Sequence, residues 1–316
     1  MEENIIQISV IIPIFNEQEI LPELYERLKK AVDLISPDYE LIFIDDGSKD
    51  HSLEELIKLN LFDQHVKYIS FSRNFGHQIS VTAGLVYCRG KAVVIIDGDL
   101  QDPPELIPAM YGQYQKGFKV VYAKRIKRKG ETFFKKATAK IFYRLLNSIT
   151  SVDIPLDTGD FRLIDRDIVE YLKQMPEQSK FYRGQVAWLG FKQSFVEFER
   201  EQRKAGTTGY TFKKMLKFAI DGITAFSDSP LKLVTRLGLF VFCFSIIVIF
   251  YALYSYFILN RVISGWTSLI ISTMFIGGIQ LLSIGIIGEY ISRINNNVRN
   301  RPLYIVEKTN IDKSHS

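Results

Sequence analysis

Ala92-Val-Val-Ile-Ile-Asp-Gly-Asp-Leu-Gln-Asp-Pro-Pro-Glu105 is the stretch on which the reading of the fold turns. It opens on an apolar run rich in β-branched residues, the composition of a short strand buried on both faces. Two acids flanking Gly98 follow at once, and Pro103-Pro104 suits the first turn of a helix. Strand, polar turn and helix together make the repeating unit of a helix-covered parallel sheet. The same unit recurs on the N-terminal side. Ile8–Ile14 is a strand, and Asn16-Glu-Gln-Glu opens a helical pattern through Leu21, Leu24, Leu28 and Val32. Glu40–Ile44 and Val66–Phe71 are strands followed by helices near Ser52–Leu59 and Gln78–Tyr87, and Val120–Ala123 is a fifth strand. The expected fold class is α/β, a mainly parallel sheet with helices on both faces.

In such sheets ligands bind beyond the carboxyl ends of the strands. Four polar clusters fall there: Asn16-Glu17, Asp45-Asp46, Ser72-Arg73-Asn74 and Asp97-Gly98-Asp99. No glycine-rich dinucleotide fingerprint follows the first strand, and no phosphate-loop motif occurs, so neither nucleotide-binding class is indicated. Asp97 and Asp99 suit a hard divalent cation, Mg²⁺ or Mn²⁺, which binds one or two carboxylates plus substrate phosphates. Gly98 allows close backbone approach. Asp45 and Asp46 suit hydrogen bonds from a base and a ribose. Glu17 reads either as a first-turn helix acid or as a nucleotide contact.

The chain has 316 residues, 47% hydrophobic and 24% charged, enough to bury a core. Its two cysteines, Cys88 and Cys243, exclude a disulfide scaffold. The acidic start Met1-Glu-Glu-Asn lacks the basic region of a cleaved signal peptide. Charge is uneven: residues 1–100 hold 9 basic and 17 acidic residues, 101–230 hold 23 and 15, and 231–316 hold 8 and 3. Residues 237–259 and 262–288 contain no charge, and each exceeds the roughly 20 residues a bilayer needs. They predict a two-helix transmembrane hairpin within 231–290, followed by a basic tail over 291–316. Lys213, Lys214, Lys217, Lys232 and Arg236 precede the hairpin, and Arg293, Arg299, Arg301 and Lys308 follow it. The tip has only Arg261, so both termini and residues 1–230 are expected in the cytoplasm. Gly277-Gly278, Gly285 and Gly288 permit close helix contact, within the hairpin or between protomers of a homo-oligomer. Residues 116–144 carry 11 Lys/Arg against one acid. Without an aromatic-laced RNA motif or a DNA-reading helix, this basic middle points to an anionic lipid surface rather than nucleic acid. Interfacial helices are expected over about 131–147 and 210–226.

Pro13-Ile-Phe-Asn-Glu17, Asp45-Asp-Gly-Ser48, Arg73-Asn-Phe-Gly-His77 and Asp97–Glu105 together resemble the family 2 glycosyltransferases. Thr158-Gly-Asp-Phe-Arg162 and the paired spans narrow the resemblance to the branch that transfers hexoses to polyprenyl phosphates. The resemblance covers nearly the whole chain, and the order of its motifs is more specific than any one of them. It implies a GT-A fold over 1–230, a nucleotide-sugar donor, a divalent metal and inverting transfer to a membrane lipid phosphate. The donor implied is UDP-glucose or UDP-N-acetylglucosamine, and the acceptor undecaprenyl phosphate in a bacterial cytoplasmic membrane. By the same resemblance Pro13, Phe15 and Glu17 line the nucleotide pocket, and Asp45 and Asp46 contact base and ribose. Asp99 holds the metal, with Asp97 supporting it or the ribose. Asp160 is the catalytic carboxylate, and Arg125, Arg162 and Arg203 reach phosphates or the acceptor. One departure stands at Gly209, where the branch carries a lysine. Two other readings are a processive polysaccharide synthase and a non-catalytic membrane scaffold. The first lacks its Gln-x-x-Arg-Trp motif, since the nearest string is Gln185-Val-Ala-Trp188. The second sits poorly with acids at every strand end.

Overall fold

The computed structural model describes residues 6–125, 158–198, 229–258 and 265–311. The expected interfacial helices over 131–147 and 210–226 lie outside them, as does Gly209. The chain divides into two compact units, one built on a sheet and one on two long helices.

Among the described residues the first unit carries one sheet of order β7-β5-β6-β4-β1-β2-β3-β8. Its strands are β1 Ile8–Ile14, β2 Tyr39–Asp45, β3 Val66–Phe71, β4 Ala92–Ile95, β5 Val120–Arg125, β6 Thr158–Asp165, β7 Gln193–Phe198 and β8 Val306–Thr309. β3, β2, β1 and β4 are parallel neighbours, as the repeating units require. β4 and β5 both pair antiparallel with β6, and β8 pairs antiparallel with β3, so the sheet is mixed. The described helices of this unit are α1 Leu21–Asp33, α2 Ser52–Phe62, α3 His77–Tyr87, α4 Ile107–Gln115, α5 Arg166–Gln174 and α6 Tyr182–Trp188. Two buried clusters form the core. One gathers Ile8, Val10, Ile12 and Ile14 with Leu21, Leu24 and Leu28 of α1. The other gathers Ile11, Ile42 and Ile44 with Val81, Ala83 and Leu85 of α3. Alternation along β1 and β2 thus feeds both layers at once.

α1 begins five residues after Asn16, not at it. Asn16 has a φ of 56°, which a helix cannot use. The amides of residues 16–18 are instead bonded to the loop after β2.

The second unit holds helices α7 Ser229–Phe257 and α8 Trp266–Val298. Each contains a stretch long and apolar enough to cross a membrane, Pro230–Val248 and Ser272–Val298, exposed along its length. α7 starts earlier than residue 237, with Pro230 in its first turn. α8 runs past Gly288 to Val298, because Ser292, Asn295 and Asn296 interrupt apolarity without interrupting a helix. Residues 291–316 are therefore not one separate basic tail. The first eight continue α8, and Val306–Thr309 is the edge strand β8 of the sheet.

Candidate active site

The carboxyl ends of β1, β2, β3 and β4 share one edge because the four strands are parallel. The loops after β1 and β2 are knitted there. Asn16 N donates to Ser48 Oγ at 2.9 Å, Glu17 N to Ser52 Oγ at 3.0 Å and Gln18 N to Asp50 Oδ2 at 3.2 Å. In return Lys49 N donates to Asn16 Oδ1 and His51 N to Gln18 Oε1, both at 2.8 Å.

Asp45 and Asp46 are buried at this edge. Asp45 accepts from Ser48 N at 3.0 Å and Ser70 Oγ at 2.7 Å. Asp46 accepts from Phe75 N at 2.7 Å and Gly76 N at 2.9 Å. Burial pushes the Asp46 carboxyl up in pKa, although those two N–H groups pull it down. Gly47 has a φ of 67°, and a Cβ there would stand 2.5 Å from the Arg73 carbonyl carbon. Only glycine lets the turns after β2 and β3 meet.

Gly98 is likewise required, but for a different contact than a ligand. A Cβ there would stand 2.9 Å from the Pro13 carbonyl oxygen, so the turn after β4 packs on the end of β1. Leu100, two residues further on, is held at a φ of 55° with its side chain buried. A bulky residue there is strained, and packing into the core holds it in place. Asp99 Oδ1 accepts from Gln101 N at 3.1 Å within this turn.

β6 brings Asp160 to the same edge. Ala92 pairs with Asp165 and Ile95 with Arg162. The same antiparallel register, carried two residues further, sets Asp160 beside Asp97. His77, the first residue of α3, lies between them. Its Nε2 is 3.5 Å from Asp97 Oδ1 and 3.3 Å from Asp160 Oδ2. These are ion-pair contacts rather than aligned hydrogen bonds, since His77 Nε2 and Asp97 Oδ1 are both buried atoms without a hydrogen-bond partner. Burial alone would lower the His77 pKa, and a helix N-terminus disfavours a cation. The two carboxylates outweigh both effects and raise it to about 9. Asp97 is pushed up to about 6 by burial and by its acidic neighbours, with His77 opposing.

Asp160 is clasped. Its Oδ1 accepts from Arg162 Nη2 at 2.9 Å and Arg183 Nε at 3.0 Å. Its Oδ2 accepts from Gln78 Nε2 at 3.3 Å and faces His77. Burial would raise its pKa, but Arg183, His77 and Arg162 hold it well below the usual carboxylate range. The start of α6 is tied to α3 by Tyr182 Oη donating to Thr82 Oγ1 at 2.8 Å, which brings Arg183 onto Asp160.

The remaining expected residues scatter in role. Pro13 is buried in β1, Phe15 is 43% exposed beside it, and Glu17 is half-buried. Arg125 ends β5 with Nη2 on both oxygens of buried Asp102, at 3.1 and 3.2 Å, and its Nε is buried without a partner. Arg162, expected at a phosphate or the acceptor, is 1% exposed and bonds Asp160 from inside the sheet. Arg203 lies outside the described residues. Sequence reasoning assigned no role to His77, Gln78, Asp102 and Arg183. His77 closes a quoted motif at the same edge. Arg183 has no local signal, because it reaches Asp160 from a helix 23 residues further along.

Among the described residues no group of three or more His, Cys, Asp or Glu side chains gathers as a self-sufficient metal cage. Asp97 Oδ1, which accepts no hydrogen bond, nevertheless suits a cation whose remaining ligands come from a substrate.

Residues 9–172 match the model of Glycosyl transferase family 2, and residues 229–294 match the GtrB C-terminal hairpin. An uncharacterized glycosyltransferase of Bacillus subtilis (strain 168), YkcC, is 51% identical over 304 residues, covering 96% of this chain and 94% of the relative. The SfII prophage-derived bactoprenol glucosyl transferase of Shigella flexneri is 39% identical over 303 residues, covering 96% and 98%. The prophage bactoprenol glucosyl transferase homolog of Escherichia coli (strain K12) is 39% identical over 302 residues, covering 96% and 99%. Among solved structures, glucosyl-3-phosphoglycerate synthase from Mycobacterium tuberculosis aligns at 18% identity over 69% of this chain and 76% of that one, with a TM-score of 0.46.

Proposed function

This chain belongs to glycosyl transferase family 2, and from that premise we propose that it moves a hexose from a nucleotide sugar to a polyprenyl phosphate. The donor we assign is UDP-glucose or UDP-N-acetylglucosamine, and the acceptor is undecaprenyl phosphate. The near-full-length likeness to bactoprenol glucosyl transferases supports the acceptor class. The observation that carries the reading is the clasp on Asp160. A hydroxyl acceptor needs a general base in reach of its proton. Asp160 has both oxygens engaged by cationic or amide donors and is held ionised, so it is a poor proton acceptor. A phosphate monoester has its second pKa near about 6 and arrives already largely dianionic. The site therefore fits an acceptor that brings its own charge.

The reaction is one displacement. A phosphate oxygen of the lipid attacks the anomeric carbon as the bond to the nucleoside diphosphate breaks on the opposite face, inverting configuration. Phe15 offers an exposed ring for the base, with Glu17 beside it. Each oxygen of Asp45 and Asp46 has a lone pair left for base and ribose. Asp99, with Asp97, would hold Mg²⁺ or Mn²⁺, which supplies charge neutralisation at the diphosphate. Arg125 and Arg203 serve the phosphates. His77 and Arg183 offset the negative charge of Asp160 where an anionic acceptor must approach, and Asp160 orients it through them. The hairpin sets the enzyme at the membrane that holds the lipid. β8, which follows α8, pairs with β3, which precedes α7, and this supports the reading that both ends of the hairpin face the same side of the membrane. The basic flanks Lys232, Arg236, Arg293, Arg299 and Arg301 support a cytoplasmic side for it.

Purified full-length protein with Mg²⁺ or Mn²⁺, undecaprenyl phosphate and labelled nucleotide sugars tests the reading. One sugar is expected to move into the organic phase as a mild-acid-labile lipid monophosphate. Equal transfer to undecaprenol, or a polymeric product, would overturn it.

A further inference from the structure

We propose that the segment after the second membrane helix, Tyr304–Ile311, is a positioning element of the donor site. The proposal rests on the reading of the strand-end edge as the place where the nucleotide sugar binds.

β8 does more than cover a sheet edge. Ile69 pairs with Thr309 and Ser70 with Lys308, the register shifts, and Phe71 pairs with Val306. One residue further, Ser72 N donates to Ile305 O at 3.1 Å, which carries the ladder into the loop after β3. Lower on the strand, Tyr68 N donates to Asn310 Oδ1 at 2.8 Å, and Thr309 Oγ1 donates to Tyr68 O at 2.9 Å. Without β8, β3 would be an open edge.

A row of rings runs from this segment to the site. Tyr304 stacks on Phe71, with centroids 5.0 Å apart and planes at 22°. Phe71 meets Phe75 edge-on at 5.7 Å. The Arg73 guanidinium lies over the Phe75 ring at 4.0 Å. Phe75 N and Gly76 N are the two donors that hold Asp46, and the next residue is His77. The Arg73 backbone fills the slot that Gly47 leaves open. Ser70, opposite Lys308, holds Asp45 through its hydroxyl. Asp46 and the histidine between Asp97 and Asp160 thus hang on a loop that Tyr304 and Ile305 brace from behind, and Asp45 is held by the strand that leads into that loop. Tyr304 touches neither acid. It acts through Phe71 and Phe75.

The test compares full-length wild type with Tyr304→Ala, Tyr304→Leu and Tyr304→Phe in lipid nanodiscs. Hydrogen exchange is followed on peptides covering residues 72–77, 8–14 and 92–96. Tyr304→Ala is expected to speed exchange at 72–77 by about tenfold or more while the other two peptides hold. The KM for UDP-glucose or UDP-N-acetylglucosamine, whichever is the donor, is expected to rise about tenfold, with a smaller fall in kcat because His77 ends the same loop. Tyr304→Phe keeps the ring and is expected to match wild type. If Tyr304→Ala does not fold, Tyr304→Leu removes the stack while keeping an apolar side chain. Unchanged exchange at 72–77 in the folded variant, or a loss of kcat at constant KM, would overturn the proposal. So would exchange rising equally in all three peptides. If wild type transfers from no nucleotide sugar, the functional reading fails, and the exchange pattern alone decides whether Tyr304 braces the loop.

Discussion

Asp45-Asp46 and Asp97-Gly-Asp99 look alike in the sequence: two acids just past a buried strand. In the structure they differ in kind. Asp45 and Asp46 give every oxygen to the protein, to Ser48, Ser70, Phe75 and Gly76. They shape the turns first, and each oxygen keeps one lone pair beyond those bonds. Asp97 leaves Oδ1 buried without a hydrogen-bond partner, beside a histidine charged by its surroundings. A buried carboxylate oxygen left unbonded is costly unless something else binds it. The difference teaches where stability and chemistry separate at this edge. Asp160, held by Arg162, Arg183 and Gln78, belongs to both.

Asp160→Asn is expected to have the largest effect. It leaves buried Arg162 without its counter-charge, which costs about 3–5 kcal/mol of stability. Transfer is expected to fall about 10³-fold. Unfolding midpoint and product formation, measured on the same preparation, check both. Asp99→Asn sharpens the contrast. Asn keeps the Oδ1 acceptor for Gln101 N, so stability should hold within about 0.5 kcal/mol. Transfer should still drop about 10²-fold or more. A thermal shift as large as that of Asp160→Asn would break the distinction between the turn and the clasp.

Asp46→Asn probes the other side. Both of its oxygens accept backbone N–H bonds, and an amide can supply only one acceptor. The orphaned donor should cost about 1–3 kcal/mol, read as a lower unfolding midpoint together with a higher donor KM. Metal affinity should then report on Asp97. With its pKa raised to about 6, it must lose a proton before a cation can bind. Mn²⁺ affinity, followed by the Mn²⁺ resonance signal, should be nearly flat above pH 7 and weaken about tenfold per unit below pH 6. Affinity unchanged down to pH 5 would remove Asp97 from the ligand set.

The parallel core was legible because β1 to β4 are apolar runs, and apolar runs between helical patterns admit few folds. β6 was not. Asp160 and Arg162 occupy its buried face, so Thr158–Asp165 has the look of a polar turn until Tyr122, Ile95 and the rest of the sheet surround it. β8 was hidden for another reason. Val306-Glu-Lys-Thr309 is short and half charged, and only the waiting edge of β3 makes it a strand. Which acids would serve the fold was equally invisible, since Asp46 is held by amides 29 and 30 residues away. Glu17, Asp45 and Asp97 were visible as a convergence of strand ends, which follows from parallel topology alone. Arg183 was visible to neither pattern nor spacing.

The smallest expected effect comes from an acid far along the same continuum. Asp63 follows α2, just before β3, and serves only the fold. It accepts from His65 N at 2.9 Å, Tyr25 Oη at 2.9 Å and Lys29 Nζ at 3.2 Å, and pairs with His65 Nδ1 at 2.8 Å. Burial would raise its pKa, but the His65 amide and ring, Tyr25 and Lys29 bring it down to about 2. A carboxyl whose folded pKa lies below its unfolded value near about 3.9 stabilises fully above that value. The contribution is lost as pH falls through about 4 towards 2. Its size should be about 1–2 kcal/mol, allowing for the partial exposure of Lys29 and His65. Asp63→Asn should therefore lower the unfolding midpoint of the sheet unit at pH 6 and converge with wild type near pH 2, while transfer at pH 7 stays unchanged. A loss of transfer in folded Asp63→Asn would mean that the two ends of the sheet are coupled, and that bonding alone does not separate structural from chemical acids in this protein.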